Sequence, residues 1–198
     1  MTPRNMGRIS GLAVLMASVA APAFAGSFYL QEQSVRGAGR AYSGEAADRG
    51  VASLWWNPAA IARSGREVYV GAHGLKIDST VDNAGSSITY PGGTTVPVQG
   101  QSHNIDPIES GLVPNFAIAT PIGDRFAVGF SMAAPYNFTT KYAPTSFARY
   151  DALTSELRSV NAGLTAAMQV TDWLDVGVGF DAQYVKAKLT SALPNLSP

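Results

Sequence analysis

Asp175 and Asp181 fall on one face of an alternating segment and are the first candidates for paired acid–base chemistry. Six residues of extended chain hold them ~20 Å apart, too far for two carboxylates to act on one bond. They read as the lining of a hydrated lumen. His73 stands among polar residues of another alternating segment and reads as a hydrogen-bonding group, not a metal ligand or proton switch. With two His and no Cys, a His-rich metal site, a zinc knuckle, a disulfide framework and a Cys nucleophile all lack support. Gly37-Ala38-Gly39 has the spacing that opens a dinucleotide fingerprint. Tyr42 replaces its third Gly and no apolar strand precedes it, so the motif is rejected. There is no G-x-S-x-G nucleophile elbow. The residues support neither an enzyme nor a bound cofactor. Asn57-Pro58-Ala59 has mechanics of another kind: Asn57 can cap a short helix, Pro58 suits its first position and Gly65 can end it.

The elements that position these residues alternate with period two. Five strands are expected, over Glu67–Leu75 and residues 112–122, 125–136, 157–170 and 174–184. In the clearest, Phe126, Val128, Phe130, Met132, Ala134 and Tyr136 oppose Ala127, Gly129, Ser131, Ala133 and Pro135. Each segment is near the ~10 residues that cross a membrane at a tilt. The connections alternate between long polar stretches (76–111 and 137–156) and tight turns at Gly123-Asp124 and Thr171-Asp172. Transmembrane barrels have long external loops and short periplasmic turns. Phe126 and Tyr136, ten residues apart, are expected at the two borders of the lipid band. Trp173 has the wrong parity for the lipid face but sits at a turn.

Composition agrees. Charged residues are 14% of 198, and 14 bases balance 14 acids, which argues against a nucleic-acid partner. Mean hydropathy is only +0.05, and the mature part has no run of the ~20 apolar residues a membrane helix needs. The expected fold class is all-β, a transmembrane antiparallel β-barrel. A soluble β-sandwich or lipocalin-like barrel is the rival, but its outward face should carry more charge.

Arg4 and Arg8, the apolar run that follows, Pro22 and the A-x-A site Ala23-Phe24-Ala25 form a secretory leader over residues 1–25. Residues 26–66 do not read as strands: they hold several Gly, charges of both signs, and an apolar stretch leading to Asn57-Pro58-Ala59. Residues 67–198 carry the strands.

The mature start (Gly26-Ser27-Phe28-Tyr29-Leu30-Gln31-Glu32-Gln33-Ser34), then Gly37-Ala38-Gly39-Arg40-Ala41-Tyr42-Ser43-Gly44-Glu45-Ala46-Ala47, then Trp56-Asn57-Pro58-Ala59, resembles the FadL/TodX family of outer-membrane long-chain fatty-acid and hydrocarbon transporters. The resemblance continues through Val113-Pro114-Asn115-Phe116. It implies a fourteen-stranded barrel in the Gram-negative outer membrane with its lumen plugged by an N-terminal hatch. Residues 26–66 would be the hatch, with Asn57, Pro58 and Ala59 as its motif, and residues 67–198 the first part of the wall. The implied partners are a long-chain fatty acid or other hydrophobic small molecule and outer-membrane lipid. The implied route ends sideways through a kinked third strand, where Pro135 could break the ladder. Five strands cannot close a barrel, so an N-terminal fragment of a longer protein is expected. A structural or adhesive outer-membrane protein using its external loops, or a general porin, are the other readings.

Overall fold

The computed structural model describes residues 29–30 and 33–195. The expected leader, with Ala23-Phe24-Ala25, lies outside the described residues. One short helix, α1 (Val35–Gly39), is followed by 3-10 turns at Glu45–Ala47, Val51–Ser53 and Pro58–Ile61. Then come β1 (Glu67–Leu75), β2 (Thr80–Asp82), β3 (Ser87–Thr89), β4 (Thr95–Pro97), β5 (His103–Ile105), β6 (Gly111–Ile122), β7 (Phe126–Ala133), β8 (Asn137–Lys141), β9 (Thr154–Gln169) and β10 (Asp175–Thr190). The main sheet runs β1-β6-β7-β9-β10, antiparallel throughout, with β8 beside β9.

Side chains alternate across this sheet as period two requires, but the burial is inside out. Val68, Val70, Leu164, Val178 and Phe180 are between 63 and 76% exposed. Their opposite-facing neighbours are small or polar and buried: Ala117, Ala119, Asn115, Ala127, Ser131 and Ala167. A half-exposed sheet of a soluble protein would do the reverse. An apolar outer face over a small and polar inner face is the pattern of a barrel wall whose outside meets lipid. Trp173 is 83% exposed in the β9–β10 turn, at the lower border of that apolar face.

The inner residues are small because the N-terminal segment lies against them. Val51, Leu54, Ile61 and Ala62 form one buried cluster with Ala117, Ala119, Ala127 and Ala167. A Cβ on Gly129 would meet Ile61 Cδ1 at 3.0 Å and Leu54 Cδ2 at 3.1 Å. The segment touches all five strands of the main sheet, so the sheet must curve around it.

The third wall strand departs from expectation. It was expected unbroken over residues 125–136, but β7 stops at Ala133 and β8 restarts at Asn137. Both pair with β9. Ala133 faces Asn161 and Asn137 faces Arg158, so three residues, Ala134, Pro135 and Tyr136, oppose two, Ser159 and Val160. The extra residue is a β-bulge, and it reverses which face each later side chain takes. Tyr136 therefore points inward, against Tyr29 with ring centroids 5.8 Å apart. It is not the upper lipid-border residue expected from its spacing to Phe126.

The long polar stretches are also more ordered than expected. Residues 76–111 contain two small antiparallel pairs, β2 with β5 and β3 with β4. They dock on the second connection through a Gln101–Ser146 bridge. Gly100 (φ +132°) allows this approach, since a Cβ there would lie 2.2 Å from the Thr145 carbonyl oxygen. The second connection is shorter than residues 137–156, because β8 and the start of β9 take both its ends. The fifth strand runs on past Tyr184 to Thr190.

Candidate functional site

Two features meet where the wall is irregular. The first is an opening in the seam between β6 and the β7–β8 line. Ladder pairs run from Ile122–Phe126 up to Phe116–Met132 and then stop. Pairing returns beyond them at Ile108–Thr140. Between these points the Glu109 N–H donates to the Thr139 carbonyl at 2.8 Å beside the bridge, and the Asn137 side chain crosses, Nδ2 donating to the Leu112 carbonyl at 3.0 Å. Pro114 and Pro135 both lie on this stretch, and neither has an N–H to offer a ladder. Leu30, Val113 and Ala134 pack inside the opening, with Phe138 and Leu75 against them. The Leu30 N–H donates to the Pro135 carbonyl at 2.8 Å, which satisfies an acceptor the broken seam leaves bare.

The second feature is a cavity of about 280 Å³ between the N-terminal segment and the inner wall. Leu54, Trp55 and Pro58 supply one apolar side; Ser131, Asn161 and Asp181 supply polar groups; Pro135 and Tyr136 form the end nearest the seam opening. Asn161 Nδ2 donates to Asp181 Oδ1 at 2.9 Å. Burial, then the neighbouring Tyr136 and Asp181, push the Tyr29 phenol above its ordinary value, so it stays a neutral donor at the cavity edge. Apolar walls with a few fixed polar groups suit a ligand with a long apolar body and a polar end. Among the described residues no group of three or more His, Cys, Asp or Glu is placed to hold a metal ion.

The N-terminal segment is held by its own polar network. Ser34 caps α1, its Oγ accepting from Gly37 N at 3.0 Å. Arg40 pairs with buried Glu45 and with Asp48 at 2.7 Å. Arg36 reaches Ser53 Oγ at 2.9 Å and Asp48 at 3.2 Å. Glu67 on β1 accepts from Val51 N at 2.8 Å, and Tyr69 accepts from Val35 N at 2.6 Å. At the far end Arg63 Nε forks onto Asp175 at 2.8 and 3.0 Å, while Nη2 donates to the Thr171 carbonyl at 2.7 Å. Beside Asp175 the Arg63 guanidinium holds its proton more tightly than usual. Asp175 is thus an anchor for the segment, not the free lumen lining expected. Its spacing alone could not reveal the partner. His73 faces inward, half-buried, and its Nε2 has no hydrogen-bond partner among the described residues; the hydrogen-bonding role expected of it is not seen at that atom.

The Asn57-Pro58-Ala59 turn is built as its residue types suggest. Asn57 Oδ1 accepts from Ala59 N at 3.0 Å, and Nδ2 donates to the Ala46 carbonyl at 2.9 Å. Asn57→Ala removes both bonds and is expected to cost about 1 kcal/mol or slightly more. Limited proteolysis should cut the variant's residues 45–62 faster; cleavage at the wild-type rate would remove the turn's holding role.

Asp48 adds a pH dependence. The Arg49 N–H and then the Arg40 guanidinium hold its carboxyl below the usual carboxylate range. A depressed folded-state pKa stabilises above the unfolded value, about 4, and that stabilisation fades as pH falls through the lower folded value. Proteolysis by an acid-active protease at pH 3 should therefore expose this segment more than at pH 6. Asp48→Asn should flatten the difference, and an unchanged pH response in that variant would show that another group governs it.

A family model described as outer membrane protein transport protein (OMPP1/FadL/TodX) matches residues 16–198. The chain belongs to this family. Relatives include a long-chain fatty acid transport protein of Escherichia coli O6:H1 (strain CFT073), 33% identical over 202 residues, covering 100% of this chain and 43% of that protein. Outer membrane protein P1 of Haemophilus influenzae is 29% identical over 184 residues, covering 90% and 40%. A crystal structure of a Pseudomonas aeruginosa FadL homologue has the same fold, with a TM-score of 0.68 at 22% identity, covering 83% of this chain and 39% of that one. The chain thus spans about two-fifths of the length of the relatives it matches. The family is one of outer-membrane transport proteins, not of enzymes, and its members place this FadL-type chain in the outer membrane of Gram-negative bacteria.

Proposed function

We propose that the protein carries long-chain fatty acids or comparable hydrophobic molecules across the outer membrane. Residues 26–66 act as a plug, with Asn57, Pro58 and Ala59 shaping its contact with the wall. Substrate occupies the cavity beside Trp55 and Tyr136 and leaves sideways through the seam opening at Pro135. One observation carries this reading: the cavity ends at the only long break in the ladders of the main sheet among the described residues.

The physics suits such a cargo. A water-filled pore offers an acyl chain nothing, whereas each CH₂ taken from water contributes about 0.8 kcal/mol. An exit into lipid keeps the chain out of water throughout. The same geometry disfavours a general porin, because the N-terminal segment occupies the space beside the wall. The polar residues 76–111, folded into β2–β5, leave open an adhesive role; their deletion should then abolish surface binding yet spare uptake.

The test is uptake of a labelled long-chain fatty acid by cells with and without the complete gene. A severalfold loss on deletion, restored by the gene, is expected. Unchanged uptake would remove the fatty-acid assignment.

A further inference from the structure

Four cations gather on the outward face at the upper ends of β8, β9 and β10. Lys186 stands directly opposite Arg158, which faces Asn137 on its other side. One step further out, Lys188 faces Glu156, which faces Thr139. Lys141 closes the group one further step out on β8, opposite Thr154. This face is the lipid side: Tyr184 and Val160, the pair just below Lys186 and Arg158, are exposed and apolar. The bulge at residues 134–136 turns Asn137, Thr139 and Lys141 to the same side.

The charges do not cancel. Arg158 pairs with Glu156 at 2.7 Å and Lys141 with Glu109 at 2.6 Å. Lys186 and Lys188 form no ion pair among the described residues, and Glu156, opposite Lys188, pairs with Arg158 instead. Like charges directly opposite across a ladder destabilise a sheet, and Lys186 against Arg158 is such a pair. An anion between them reverses that sign. Beside Arg158 lies a polar recess of about 240 Å³, lined also by Glu109, Asn137 and Thr139. It offers both donors and acceptors.

Height identifies the anion's source. From Asp175, at the lower turn, to Lys186 the strand climbs roughly 28 Å after tilt, just beyond an apolar band of about 25 Å. Cations at that level and facing outward meet the head groups of the external leaflet. We propose that Arg158, Lys186 and Lys188 bind the phosphate of a phosphorylated sugar lipid of that leaflet, with the recess beside Arg158 receiving sugar hydroxyls. A guanidinium offers a phosphate a bidentate fork, and an ammonium adds a compact point charge. The site is separate from the cavity inside the wall and does not depend on what the protein transports.

The experiment is native mass spectrometry of the protein purified from outer membranes in mild detergent, with titration of lipid A, its dephosphorylated form and inorganic phosphate. Wild type is expected to retain lipid A and to bind the dephosphorylated form at least tenfold more weakly. Arg158→Gln/Lys186→Gln/Lys188→Gln should lose lipid A at least tenfold, while Lys76→Gln, in an outer loop, should not. Heat-modifiability on gels checks that the triple variant folds. If it does not fold, the two lipid forms on wild type decide the matter. Equal affinity for both forms, undiminished retention by a folded triple variant, or inorganic phosphate binding as tightly as the lipid would each overturn the proposal.

Discussion

Gly177→Val is expected to prevent the N-terminal segment from seating against the wall. A Cβ at residue 177 would lie 2.4 Å from Ala59 N, 2.5 Å from the Pro58 carbonyl carbon and 2.8 Å from Ala59 Cα. All three are backbone atoms, so no side chain can swing aside. The turn at residues 57–61 is itself fixed by the Asn57 cap and by Gln169 Nε2, which donates to the Ala62 carbonyl at 2.8 Å. Overpacking of this kind costs about 1–3 kcal/mol when the surroundings can shift, and more when they cannot. The variant should insert as a heat-modifiable barrel yet admit bulky antibiotics and show protease-sensitive residues 29–66. Wild-type impermeability in a fully inserted variant would mean that the proposed plug does not seal the lumen through this contact. Gly179→Ala is the matched control, because its nearest neighbour, Pro58 Cγ, is at an ordinary 3.6 Å.

Closing the seam opening should have the other large effect. Val113 on β6 and Ala134 in the bulge belong to one buried cluster on the inner side of the opening, so cysteines placed there share a face. The chain has no Cys, so Val113→Cys/Ala134→Cys introduces a single disulfide without competitors. It can form in the oxidising periplasm. The oxidised protein is expected to take up labelled long-chain fatty acid at least tenfold more slowly, with recovery on adding a reductant. Oxidised protein, its bond proven by mass spectrometry, that transports at the wild-type rate would exclude this opening as the route. Each single-Cys variant separates the loss of packing around Leu30 from the cross-link.

Much of the wall was legible because a strand's faces are a local property. Phe126, Val128 and Phe130 alternate with Ala127, Gly129 and Ser131 whether or not their partners are known, and the structure gives them opposite faces. The small inner residues could be read as a lumen face, but not as the footprint of another segment. Asn57 could be read as a cap because its acceptor bonds a residue two positions away. Asp175 could not be read as an anchor, since Arg63 lies 112 residues earlier.

By itself, then, the sequence determined the strand pattern, the outward apolar face, the Asn57 turn and, through its motifs, the family. Each depends on period, residue type or short spacing. Only the tertiary structure decided the rest. Whether residues 134–136 hold a bulge depends on how many residues of β9 lie opposite, and that count turned Tyr136 inward and opened the seam. The gathering of Arg158, Lys186 and Lys188 depends on the same register. Register is set by pairing between distant segments, and a one-residue difference moves every later side chain to the other face.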